Sequence, residues 1–104
     1  MTKHIELFPG SKADLEGMTG ETYQALTYGN GKLMRVDTYI SSDFGRGANP
    51  VLAQADVDNR LREIARENNA SALVHLTYIY ASGISPEPQK TRVVGGFGYL
   101  VKRA

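Results

Sequence analysis

The sequence predicts an α+β fold: one amphipathic helix packed on one face of an antiparallel sheet of about four to five strands. Three observations predict it. Residues 50–68 carry apolar side chains at helical spacing. Residues 32–41, 72–80 and 91–102 carry the alternation, or the β-branched and aromatic content, of strands. Proline falls only at or between the ends of these segments. The expected order is β-β-β-α-β-β within a single domain spanning residues 1–104.

Taken from the N terminus, residues 4–8 form a short strand closed by Pro9-Gly10. Residues 9–20 hold Pro9, Gly10, Gly17 and Gly20 and read as a connector, with one helical turn at Ala13-Asp14-Leu15-Glu16. Residues 21–28 are rich in Thr and Tyr, as strands are. Gly29-Asn30-Gly31 then predicts a tight hairpin turn, because these residues tolerate positive φ. In residues 32–41 one face gathers Met34, Val36 and Ile40, so that face should meet the core.

Residues 42–49 read as a loop. Asn49 is a preferred N-cap, and Pro50 at the first helical position loses no useful N–H. At 100° per residue, Ala53, Val57, Leu61, Ile64 and Ala65 share an arc of about 120°. Asn68-Asn69 should end the helix, since Asn adopts the left-handed cap conformation. Residues 72–80 form the strongest strand. Its face of Ala72, Val74, Leu76, Tyr78 and Tyr80 should take the helix. Leu73, His75, Thr77 and Ile79 should then point away from it. Gly83, Pro86 and Pro88 keep residues 81–90 out of any strand interior. In the last strand, Gly96 and Gly98 share one face and predict a shallow groove for a neighbouring aromatic ring or another subunit's backbone.

Composition bounds the function. A chain of 104 residues can bury about 65% of its extended surface, enough for one modest core. There are no cysteines, which excludes disulfides, thiolate metal sites and thiol catalysis. The formal net charge of +1 gives no electrostatic reason to expect nucleic acid or an acidic membrane as partner. No apolar stretch at the N terminus reads as a targeting signal, and none approaches the ~18 residues of a membrane span. The expectation is a soluble, cytoplasmic protein.

Candidate chemistry is sparse. His4 and His75 are the two histidines, and His75 on the uncovered strand face is a candidate ligand for a small molecule or metal. Gly45-Arg46-Gly47, following Asp43 and preceding the helix, resembles an anion cradle in which Arg46 adds a bidentate donor. A GxG without its third glycine is no dinucleotide fingerprint. Six tyrosines lie among scattered basic residues, a pattern that serves packing as well as base stacking. No Ser/His/Asp order, P-loop or zinc-binding helix motif occurs, so an enzyme is not expected.

One resemblance covers roughly residues 43–101. It rests on the Gly45-Arg46-Gly47 loop and the amphipathic helix. It continues through the step Asn69-Ala70-Ser71-Ala72-Leu73-Val74 and the final Val93-Val94-Gly95-Gly96-Phe97-Gly98-Tyr99-Leu100. Together these resemble the YbjQ-type family of small bacterial domains labelled as heavy-metal-binding. Asn69 stands where that family has Gly, Phe44 replaces a loop glycine, and the helix is about two turns shorter. The resemblance implies an α+β domain that assembles into a ring, a pentamer being the family's form. It carries no set of metal ligands onto residues of this chain.

The leading expectation is therefore a non-enzymatic domain that forms a homo-oligomer through Leu73, Ile79, Gly96, Gly98 and Tyr99 and binds a partner or small ligand. A metal- or anion-binding sensor built on Asp43, Gly45, Arg46, Gly47 and His75 is the alternative. Weak binding of single-stranded nucleic acid on the sheet surface is the third.

Overall fold

The computed structural model describes residues 4–39, 50–82 and 91–104. The elements are β1 (Glu6–Leu7), α1 (Lys12–Thr19), β2 (Tyr23–Ala25), β3 (Arg35–Tyr39), α2 (Pro50–Glu67), β4 (Ala72–Ser82) and β5 (Thr91–Arg103). The α+β class and the main helix agree with the sequence. The sheet runs β1-β4-β5-β2, with β3 also on β5.

Two features of the sheet depart from expectation. It is mixed, because β1 pairs parallel to β4 with Glu6 opposite Ala72 and Leu7 opposite Leu73. And β2 and β3 do not form a hairpin with each other. Both pair antiparallel with β5, β2 along Val101–Arg103 and β3 along Gly95–Tyr99. They lie end to end on one edge of β5, and Leu100 spans the join. Its N–H donates to the Met34 carbonyl, and its own carbonyl accepts from the Leu26 N–H. Residues 27–33 therefore project as a small hairpin closed by a Thr27–Leu33 bridge. Gly31 takes φ 81° at its tip, a left-handed position that favours glycine, and the Asn30 side chain accepts from the Lys32 N–H at 3.0 Å.

The α2 helix packs Val57, Leu61 and Ala65 against one sheet face, where they join Ile5, Leu73, Val93 and Leu100. These helix positions are i, i+4 and i+8, the stripe that the spacing predicts. The helix ends as Asn69 turns left-handed at φ 58°. The Ala70 N–H then reaches the Ala65 carbonyl and the Asn69 N–H the Arg66 carbonyl, a Schellman closure. The Arg62 side chain ties α2 to the Ile5 carbonyl.

On the opposite face sits α1, which is a two-turn helix and not the single turn expected. Ser11 accepts from the Asp14 N–H while Asp14 accepts from the Ser11 N–H, a complete capping box. Gly20 closes the other end at φ 74°. Leu15 is its one buried residue, packed with Tyr23, Ala72, Val74 and Val101.

A bulge in β4 redistributes the two faces. Val74 lies opposite Tyr99 and Thr77 opposite Phe97, so His75 and Leu76 together face Gly98. His75 takes φ 56°, a left-handed conformation that costs an L-residue about 1–2 kcal/mol. Beyond the bulge Leu76 and Tyr78 face α2, as expected. Before it the assignment reverses: Leu73 joins the α2 core, and Ala72 and Val74 join α1. Strict pairing across 72–80 fails here and again between Ile79 and Tyr80, where the register shifts and Tyr80, expected to take the helix, is left exposed.

The glycine groove is likewise filled from within. A Cβ on Gly96 would lie 3.0 Å from Val57 Cγ1 and 3.4 Å from Leu61 Cδ1. On Gly98 it would strike the Leu73 side chain and come within 2.8 Å of the Val74 carbonyl oxygen. Leu73 is buried within the core of the chain, as are Gly96 and Gly98. Their small size lets α2 and the Leu73 side chain close onto the sheet.

Candidate functional site

The face turned away from α2 is covered at one end by α1 and left open at the other. Cross-strand pairing sets its rows: Arg35 beside Tyr99 beside Val74, and Asp37 beside Phe97 beside Thr77. The row of Tyr39, Gly95 and Ile79 follows. Tyr39 is 63% exposed and Leu33, on the projecting hairpin, 54%. The Arg35 guanidinium stacks over the Phe97 ring at 4.3 Å and lies 3.7 Å from Asp37. His75 and Tyr99 meet edge to face with ring centres 6.1 Å apart.

Between α1 and the 27–33 hairpin this face sinks into a pocket of about 540 Å³. Phe97, Tyr99 and Leu33 supply much of its apolar wall, and Lys12, His75 and Thr77 its polar atoms. The Thr77 hydroxyl donates to the His75 carbonyl at 3.1 Å, which steadies the bulge. The Lys12 ammonium sits 3.4 Å from the Tyr23 carbonyl and 3.5 Å from Glu16. Glu16 in turn accepts from the Tyr23 N–H at 2.7 Å. That backbone N–H, with Lys12 assisting, holds the Glu16 carboxyl below its ordinary range. Further along the same strand end, the Arg103 guanidinium does the same for Glu21 at 2.6 Å.

Of the residues singled out by sequence, His75 and Tyr99 come together in this pocket, and Ile79 lies on the same open face. Asp43, Gly45, Arg46 and Gly47 lie outside the described residues. Among the described residues no three His, Asp or Glu side chains are grouped to hold a metal. Lys12, Leu33, Thr77 and Phe97 were not singled out. For Phe97 a signal existed, since it shares the period of Tyr99 on the face opposite Gly96 and Gly98. Lys12 and Leu33 reach the pocket only through tertiary folding. Comparisons with protein-family models, with characterised proteins and with solved structures find no match to this chain.

Proposed function

We propose that the chain is a non-enzymatic domain that assembles with copies of itself through the open sheet face and binds a small ligand or partner there. One observation carries the reading: α2 closes a buried core on one sheet face, whereas the other leaves aromatic side chains half-exposed over a pocket. Ile79 and Tyr39 mark the end of that face farthest from α1 and are the surface for a second copy. A net charge of +1 sets up little repulsion between copies. The pocket lining supports the non-enzymatic part. It brings one His, one Lys and one Thr together, and the nearby Glu16 is engaged by the Tyr23 N–H and Lys12. The resemblance to ring-forming YbjQ-type domains points the same way.

Light scattering across a dilution series tests the assembly. An oligomer is expected, with Tyr39→Asp shifting it to monomer without lowering the melting temperature. A wild-type chain that stays monomeric at every concentration refutes it.

A further inference from the structure

We propose that the pocket between α1 and the 27–33 hairpin binds a small aromatic anion, its ring against Phe97 and Tyr99 and its carboxylate on Lys12. Its volume of about 540 Å³ falls in the range of sites that enclose a small molecule. The wall is mostly apolar and aromatic, which favours a ring over a sugar or a bare ion. The polar atoms are one-sided in character: Lys12 and His75 line the pocket, and no acidic side chain does. The Lys12 ammonium has three donors. The Tyr23 carbonyl at 3.4 Å and the Glu16 carboxylate at 3.5 Å engage two, orienting the nitrogen and leaving one for a ligand. A pre-positioned ammonium loses less freedom on binding than one drawn from solvent.

A second observation converges on the same place. His75 is held left-handed at φ 56° in a bulge, where a non-glycine residue is strained. The bulge takes its ring out of the strand's regular alternation and sets it edge-on to Tyr99 at the pocket. The Arg35 guanidinium stacked at 4.3 Å fixes the Phe97 ring from the hairpin side. Strain and immobilised aromatics gathered at one concavity are the marks of a pre-organised site.

This inference rests on the ligand half of the function proposed above and is independent of the assembly half. The probes are naphthalene-2-carboxylate and its neutral counterpart 2-naphthalenemethanol, titrated into the full chain by calorimetry and by amide chemical-shift mapping. The carboxylate is expected to bind below millimolar, with shifts centred on Val74, His75 and Tyr99. The alcohol should bind about tenfold more weakly, the loss of one charge-assisted hydrogen bond. Lys12→Met, at the first residue of α1, should abolish that preference while leaving the chain folded and the alcohol's affinity unchanged. Tyr99→Leu should weaken both probes. Equal affinity for acid and alcohol, no binding of either at millimolar concentration, or shifts elsewhere on the molecule would overturn the site. So would a single-stranded oligonucleotide displacing the carboxylate at lower concentration. Sizing in the same samples separates the two readings, since an oligomer that binds no carboxylate defeats the pocket alone.

Discussion

The two faces of one sheet are built to opposite rules. On the α2 side, glycines at 96 and 98 remove side chains where the helix and Leu73 come closest, and the core is closed. On the other side, the neighbouring positions on β5 carry Phe97 and Tyr99, which stay half-exposed over a pocket. A closed core and an open pocket are thus divided between alternate residues of a single strand. The comparison teaches that at residues 96–99 the period-two alternation of β5 sets small residues under the covering helix and large aromatic ones on the open face.

The division is broken most severely from the closed side. Leu61→Ala removes a fully buried side chain beneath α2 and should cost about 2–5 kcal/mol in denaturant unfolding, leaving the pocket intact. Gly98→Ala comes next, at about 1–3 kcal/mol, because its methyl meets both Leu73 and the Val74 carbonyl. A neutral result at Gly98 would show that the two faces are less tightly coupled than described.

A smaller effect appears at high pH. Tyr78, on the α2 side, donates to Asp58 at 2.6 Å, and burial together with that bond pushes its phenol up to about 12. In the unfolded chain it titrates near 10. Between those values the native state retains a proton that the unfolded state has lost. The stabilisation is therefore complete below about pH 10 and fades as pH rises toward 12. Because the side chain is half-exposed, the slope stays well below the full ~1.4 kcal/mol per pH unit, and Tyr78→Phe should flatten it.

The smallest change is expected at the bulge. His75→Gly relieves left-handed strain while loosening the unfolded chain, and the two should offset to within about 0.5 kcal/mol. His75→Val should be the more destabilising of the two, because a β-branched side chain tolerates the left-handed region least. Thermal melts of this pair show whether the strain lies in the backbone.

What was legible in the sequence follows from which forces are local. The α2 helix was readable because Val57, Leu61 and Ala65 repeat at helical spacing and Asn69 caps it. By contrast, α1 buries only Leu15, so no stripe announces it; its signals were the Ser11–Asp14 cap and Gly20. A two-residue strand such as β1 has no pattern that encodes direction, and its parallel pairing is decided by where Ile5 and Leu7 find the α2 core. The face assignments failed at His75 because no local preference places a histidine left-handed. That conformation is imposed by the Leu73 side chain lying over Gly98 and by the Gly10 carbonyl, which accepts from the His75 N–H at 2.9 Å. Of the pocket, His75 and Tyr99 were readable, while Lys12 and Leu33 depended on how distant segments meet.

The end-to-end join of β2 and β3 has an evolutionary consequence. Leu26 and Met34 are both bonded to Leu100, so the ladder is closed beneath the hairpin whatever the length of residues 27–33. Insertions there leave the sheet register untouched, and doubling such a loop costs only about 0.6 kcal/mol of closure entropy. Yet Leu33 on that hairpin is a wall of the pocket. The chain therefore has a segment that can vary in length and sequence at little cost to folding while resizing the cavity beside it, so the shape of the pocket can drift without the scaffold changing.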